Sequence, residues 1–174
     1  MTRTNRRLTM QKTEILLKWL LVLAWIGLIF SFTLQTAETS SDVSSGLLMS
    51  LINGMRYVYP NIENVVDLDV MHTLLRSGAH FGLYFILGIF TANAVTSFFV
   101  RPLSVIGVST GFSSFVGMLD EVTQYFVPGR AMMLSDIVID GVGALFGSLF
   151  LVGILVFLKS TTGKANECSD NYGG

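Results

Sequence analysis

The stretch Met118–Asp140, MLDEVTQYFVPGRAMMLSDIVID, is the most informative part of the sequence, because it joins two long apolar segments through a short polar turn. It carries four carboxylates and one arginine, namely Asp120, Glu121, Asp136, Asp140 and Arg130. Ionisable groups between membrane-length segments cost several kcal/mol unless they have partners. The stretch therefore predicts a turn between two spans and a site beside it.

The composition around this stretch is that of an integral membrane protein. Hydrophobic residues make up 51% of the 174 residues and charged residues 13%, and the mean hydropathy is +0.62. About 20 apolar residues cross the hydrocarbon core as a helix. We therefore predict an all-α, polytopic protein with four transmembrane helices, at Ile15–Leu34, Ala79–Phe99, Leu103–Val127 and Ile137–Leu158.

The distribution of basic residues predicts the orientation. In a four-span topology, eight of the 11 Lys and Arg residues fall on one side and three, Arg56, Arg76 and Arg130, on the other. Because basic residues favour the cytoplasmic side, both termini are expected inside. The domains are then a cytoplasmic N-terminus at 1–14, a membrane domain at 15–158 with an extracellular segment at 35–77, and a disordered cytoplasmic tail at 159–174. The first apolar run is too long for a signal peptide and is read as an uncleaved anchor.

The extracellular segment has helical periodicity. Apolar residues between Ser45 and Tyr59 recur at three- and four-residue spacing, which predicts a short amphipathic helix that caps the bundle or lies on the outer leaflet. Asn61–Leu75 shows a second helical pattern.

Three glycine pairs lie four residues apart within the spans, a spacing that permits close helix packing. We expect all six to serve packing: Gly78 and Gly82, Gly107 and Gly111, and Gly143 and Gly147.

The predicted topology brings polar residues of three helices to one membrane face. Residues four apart share a helix face, which aligns Arg76, His80 and Tyr84 on the second span. It also aligns Asp120 with Gln124, and Glu121 lies three residues from Gln124. On the fourth span it aligns Asp136 with Asp140. Pro128-Gly129 would turn the chain sharply and direct Arg130 back over the carboxylates. These residues are expected to line a polar cavity that opens to the outer leaflet.

Several chemistries fit this constellation. It could be a structural network in which Arg76 and Arg130 neutralise the carboxylates, or a site in which the arginines bind phosphate or carboxylate. His80 beside Glu121 could act as an acid/base pair. No cofactor is expected, although one histidine among carboxylates is compatible with a divalent cation. The net charge of −1 and the lack of a basic stripe exclude a nucleic-acid partner.

The sequence resembles the VanZ-like family of small bacterial membrane proteins. The resemblance rests on SFTLQTAETSSDVS, RSGAHFGLYFILG and DEVTQYFVPGRAMMLSDIVIDGVGALFG, and covers most of the chain from Ser31 to Gly147. By position, the family's polar residues fall on Gln35, Ser40, Ser41, Arg76, His80, Tyr84, Asp120, Glu121, Gln124, Arg130, Asp136 and Asp140. The chain departs from the family pattern at Ser77, Leu83 and Asp140, where members often carry Lys, Glu and Asn.

The resemblance implies a function in the bacterial cell envelope. The family is named for a protein of a glycopeptide-resistance cluster that lowers susceptibility to teicoplanin. We therefore expect a plasma-membrane protein that binds, or chemically modifies, a membrane lipid headgroup or a lipid-linked cell-wall precursor at the outer leaflet, and so influences susceptibility to teicoplanin-type glycopeptides. In this hypothesis Arg76 and Arg130 hold an anionic group, while His80, Glu121 and Asp136 orient or activate it.

Alternative hypotheses are a membrane enzyme that uses His80 and Glu121, and a non-catalytic partner in an envelope complex. A homodimer is also compatible with the sequence.

Overall fold

The computed structural model describes residues 3–35, 46, 49–50, 52–54, 56–57 and 67–171. Four helices, with no strand among these residues, form the structure: α1 (Arg3–Thr33), α2 (Leu68–Val95), α3 (Pro102–Tyr125) and α4 (Leu134–Asn171). Each contains a segment long and apolar enough to cross a membrane: Gln11–Thr33, Val70–Val95, Pro102–Tyr125 and Leu134–Thr162. The prediction of an all-α protein with four spans is confirmed.

The second span begins earlier than the sequence predicted. Instead of a separate helix that ends at Leu75 and a span that starts at Ala79, α2 is continuous from Leu68. Ser77 and Gly78 do not interrupt it, because a helix satisfies its backbone hydrogen bonds internally even where the side chains are small or polar. Arg76 therefore lies within the span and not in the loop before it.

The last helix extends beyond the predicted span. Helix α4 continues past Leu158 to Asn171, while the disorder expected for the tail 159–174 stays a prediction. No proline follows Leu158 to break the helix, and the hydroxyls of Thr161 and Thr162 donate to the carbonyls four residues earlier.

The predicted cap can be compared with the structure only in part. The described residues 46, 49–50, 52–54 and 56 have helical backbone, and Ile52 is buried. The remainder of the segment, including most of its apolar stripe and the pattern at residues 61–66, lies outside the described residues.

The four helices alternate in direction, which gives the bundle two chemically different ends. At the polar end, α1 and α3 end and α2 and α4 begin; there Thr33 contacts Asp120 and His80 contacts Asp140. At the basic end, Lys18 donates to Ser97. The start of α1 and the end of α4 thus share the basic end, as the topology requires.

Close packing of α2 against α4 depends on glycine. A Cβ added at Gly143 would lie 2.6 Å from the Phe81 carbonyl oxygen, and one at Gly147 would overlap the Phe85 carbonyl. Gly88 of α2 approaches Ala144 in the same way. The packing role predicted for the pair on α4 agrees with these contacts. Gly78, Gly82, Gly107 and Gly111 make no such contact with the described residues, because a Cβ there would meet none of their atoms within 4 Å.

Helix α1 lies on the outside of the bundle. Trp25 donates to the Leu83 carbonyl at 3.0 Å and packs edge-on against Phe90, while Trp19 packs against Phe112. The opposite face of α1 exposes leucines, and α4 exposes large apolar residues such as Phe157. An outer surface of this kind is suited to lipid.

Candidate functional site

A tight turn joins α3 to α4 at the polar end. The Arg130 N–H donates to the Val127 carbonyl at 3.1 Å, with Pro128 and Gly129 between them. Gly129 has φ of 79°, in the left-handed region that favours glycine, and the Pro-Gly order is that of a type II turn. The turn returns the chain to the bundle, so that residues of α3 and α4 face each other.

Arg76 and Asp136 form an ion pair at the mouth of the polar end. The Nη2 and Nε atoms of Arg76 lie 2.9 and 3.2 Å from Asp136 Oδ2, and Nη2 also donates to Gln124 Oε1 at 3.4 Å. The Arg76 side chain is 40% exposed, whereas that of Asp136 is 4% exposed. The guanidinium is therefore paired on its inner side and open on its outer side.

Arg130 is the second cation of this end. It is half-buried and makes no ion pair with a described residue within 4.0 Å. Burial and the positive charge of Arg76 lower the pKa of Arg130 from its usual value, while Asp120 and Glu121 act in the opposite direction. As the turn predicted, Arg130 is close enough to interact with the carboxylates, although it bonds none of them.

One turn deeper, four potential ligands converge. One ligand atom from each of His80, Asp120, Glu121 and Asp140 lies within 4.8 Å of the others. We call these four residues the buried cluster. The three carboxylates are buried, and the His80 side chain is 13% exposed.

The hydrogen bonds within the buried cluster differ from the predicted pairing. His80 Nδ1 lies 3.1 Å from Asp140 Oδ1, so the partner of the histidine is Asp140 and not Glu121. Glu121 Oε2 accepts the Met133 backbone N–H at 2.9 Å. A His–carboxylate pair of this kind fixes the orientation of the imidazole.

Asp120 connects the cluster to α1 and to its own helix. Its Oδ1 accepts a hydrogen bond from the Thr33 hydroxyl, and Gln124 donates to its Oδ2 at 3.5 Å. The sequence reasoning did not identify Thr33 or the Met133 amide as parts of the site. Thr33 could have been found as the polar residue that ends an otherwise apolar span, whereas a backbone donor such as Met133 leaves no signal in the sequence.

Two buried carboxylate oxygen atoms of the cluster have no hydrogen-bond partner among the described residues: Glu121 Oε1 and Asp140 Oδ2. Tyr84 is fully buried and interacts electrostatically with Asp120 and Asp140. Gly117 makes room here, because a Cβ at this position would lie 3.1 Å from Asp140 Oδ2. Buried polar atoms without partners are uncommon and point to an interaction that the protein atoms alone do not supply.

The structure thus brings together nine of the predicted site residues at the polar end: Arg76, His80, Tyr84, Asp120, Glu121, Gln124, Arg130, Asp136 and Asp140. Gln35 follows the end of α1, two residues after Thr33, and its backbone N–H donates to the Phe32 carbonyl at 3.2 Å. Ser40 and Ser41 lie outside the described residues. The functional roles assigned to these residues stay predictions.

Comparison of the sequence with known proteins identifies one matching protein family. No curated protein and no solved structure matches the chain. The family model described as VanZ/LLP1 matches residues 18–159, which include all four predicted spans apart from the start of the first and every residue of the buried cluster. The chain therefore belongs to the VanZ/LLP1 family, a membership that suggests a membrane protein of the cell envelope linked to glycopeptide resistance.

Proposed function

We propose that this protein binds the anionic headgroup of a membrane lipid or lipid-linked cell-wall precursor at the polar end, and that this binding lowers susceptibility to teicoplanin-type glycopeptides. The observation that carries the proposal is the pair of neighbouring cations at the polar end. Arg76 is 40% exposed although it lies within the span Val70–Val95, and the half-buried Arg130 is near it.

Electrostatics favours an anion between these two side chains. Like charges that are held close together repel each other, and the repulsion is stronger where burial reduces screening by water. A phosphate that bridges two guanidinium groups removes the repulsion and gains charge-assisted, bidentate hydrogen bonds. Arg76 can offer its outer side to such a group while Asp136 holds its inner side.

The surroundings are suited to a lipid. Tyr125 and Phe126, at the end of α3, are 67% and 76% exposed and lie beside the turn that carries Arg130. Aromatic side chains are common at the boundary between headgroups and acyl chains. A headgroup at the arginines would leave its acyl chains beside these rings and the apolar outer surface of the bundle.

The first test is binding. The full-length protein is purified in mild detergent and examined by native mass spectrometry with an added anionic phospholipid, phosphatidylglycerol, and with the zwitterionic phosphatidylcholine. We expect retention of phosphatidylglycerol to fall at least five-fold in Arg130→Gln. The matched control is Arg101→Gln, since Arg101 is an exposed arginine before α3 at the basic end. Equal loss in both variants, or no preference for the anionic lipid, contradicts the proposal.

The second test is the resistance phenotype. Teicoplanin susceptibility is measured in a bacterial host that expresses the protein or its variants at equal membrane abundance. Arg130→Gln should abolish the difference from an empty host, and Arg101→Gln should retain it. A host in which wild type has no effect on susceptibility contradicts the link to glycopeptides but not the binding of the headgroup.

A second candidate function, chemical modification of the headgroup, is favoured by the His80–Asp140 pair. A carboxylate that orients an imidazole is a recurring arrangement in general acid/base catalysis. In this reading Asp140→Asn should bind phosphatidylglycerol normally but leave the host's lipid composition unaltered where wild type changes it. A lipid composition that wild type does not change would leave binding as the function.

A further inference from the structure

We infer that the buried cluster of His80, Asp120, Glu121 and Asp140 is a binding site for a divalent transition-metal ion such as Mn²⁺ or Zn²⁺. This site is separate from the proposed headgroup site, because neither Arg76 nor Arg130 belongs to it.

The distances within the buried cluster are suited to a single bound ion. The four ligand atoms lie within 4.8 Å of one another, although they come from three different helices. In a tetrahedral or octahedral site with metal–ligand distances of about 2.0–2.2 Å, neighbouring and opposite ligand atoms are about 3–4.4 Å apart. Small side-chain rotations therefore bring the four atoms to the distances that a bound ion requires.

The negative charge of the buried cluster also favours a bound cation. The cluster holds three carboxylates and one imidazole, and no Lys or Arg among the described residues forms an ion pair with any of the three carboxylates. The ion pair of Arg76 is with Asp136, outside the cluster. Arg130 interacts electrostatically with Asp120 and Glu121 without forming an ion pair with them, and buried carboxylates with so little compensating charge are costly. A divalent ion would compensate two of the negative charges at once.

Two carboxylate oxygens of the buried cluster have no hydrogen-bond partner in the described part of the chain, which is an observation separate from the number of acidic residues. Glu121 and Asp140 are fully buried, and each keeps one oxygen, Oε1 and Oδ2 respectively, without a hydrogen-bond partner among the described residues. The other oxygens of Glu121 and Asp140 are held by Met133 and His80. Oriented carboxylates with one open oxygen each are what a metal site presents before the ion binds.

The ligand set points to a class of ion. Three carboxylates suit Mg²⁺, Ca²⁺ and Mn²⁺, while an imidazole suits Zn²⁺ and Fe²⁺ more than the alkaline earth ions. Thr33 and Met133 would act as outer partners, since they hydrogen-bond the ligating carboxylates Asp120 and Glu121. Outer partners of this kind hold ligands in place and raise metal affinity.

The test uses the full-length protein in mild detergent, stripped with a chelator that is then removed by gel filtration. Isothermal titration with MnCl₂, and separately with ZnCl₂, should show saturable binding of about one ion per chain for at least one metal. Glu121→Gln, Asp140→Asn and His80→Gln should each weaken that binding at least ten-fold. Glu14→Gln, on an exposed glutamate, is the control for Glu121→Gln, and His72→Gln is the control for His80→Gln.

The outcomes separate metal binding from the other proposal. Arg130→Gln should retain the metal affinity of wild type even where it loses the headgroup. The inference is overturned if stripped wild type binds neither ion saturably, a result that does not depend on whether any variant folds. It is also overturned if Glu121→Gln and Asp140→Asn, with helical circular dichroism and gel-filtration profiles like those of wild type, bind the ion as wild type does.

Discussion

At the scale of single residues, Thr33 shows how much of the site depends on one side chain outside the obvious motif. Thr33 is buried, and its hydroxyl donates to Asp120. It also joins the peripheral helix α1 to the polar end of the bundle. A single hydroxyl therefore contributes both to the orientation of a buried carboxylate and to the docking of a helix.

We predict that Thr33→Val, which keeps the shape of the side chain and removes the donor, lowers stability by about 1–3 kcal/mol, because a buried acceptor loses a partner. Thermal unfolding in detergent, followed by circular dichroism, measures the effect. Thr123→Val is the matched control, since the Thr123 hydroxyl donates only to the Leu119 carbonyl of its own helix. Equal destabilisation by both substitutions would show that the contact with Asp120 is not special.

At the scale of helices, the contact between α2 and α4 depends on the missing side chains of Gly143 and Gly147. The helices approach so closely that a methyl group at Gly147 would overlap the Phe85 backbone. This approach also sets the site, because it places His80 of α2 within 3.1 Å of Asp140 on α4. Packing and site geometry are thus linked through the same pair of helices.

The corresponding prediction concerns Gly147→Ala. Because backbone atoms cannot move aside as a flexible side chain can, we expect a loss of about 1–3 kcal/mol, the usual cost of overpacking. Gly153→Ala, on the same helix but with nothing within 4 Å, should be neutral or slightly stabilising, since alanine favours helix more than glycine does. Unfolding of both variants under identical detergent conditions decides between these outcomes, and equal behaviour would argue against the close contact.

At the scale of the whole molecule, the alternating helices place the start of α1 and the end of α4 at the basic end and the site at the other. The positive-inside rule predicts that the basic end faces the cytoplasm, which would place the site at the extracellular face. The proposed headgroup function requires this orientation, because glycopeptides act on the outside of the cell membrane. The proposed headgroup binding therefore depends on which side of the membrane the polar end of the bundle faces.

Cysteine labelling tests the orientation. The sole cysteine, Cys168, follows the last span, so a membrane-impermeant maleimide added to intact cells should not modify it. In a Cys168→Ser background, Phe126→Cys should be modified, because position 126 is 76% exposed at the polar end. Permeabilised cells provide the control in which both positions react. The reverse pattern would place the site in the cytoplasm and contradict the headgroup proposal.

The number of helices was easier to predict from the sequence than the residues at which each helix begins and ends. The number of spans and their helical nature were predictable, since hydropathy over about 20 residues reports directly on the cost of leaving water. Helix bounds were less predictable: α2 continues through Ser77 and Gly78, and α4 through the expected tail to Asn171. Local polarity suggests a helix end only weakly, because backbone hydrogen bonds within a helix do not depend on the side chain.

A four-span helical membrane protein with polar residues of three spans at one end follows from the amino-acid sequence alone, because apolar length and helical periodicity act locally along the chain. Which of these residues meet depends on the tertiary structure. Among the described residues, His80 meets Asp140, Arg76 meets Asp136, Thr33 meets Asp120, and Gly143 and Gly147 of the six paired glycines pack closely. Such pairings depend on how far each helix is rotated about its axis and how closely it approaches its neighbours, and no local pattern specifies either.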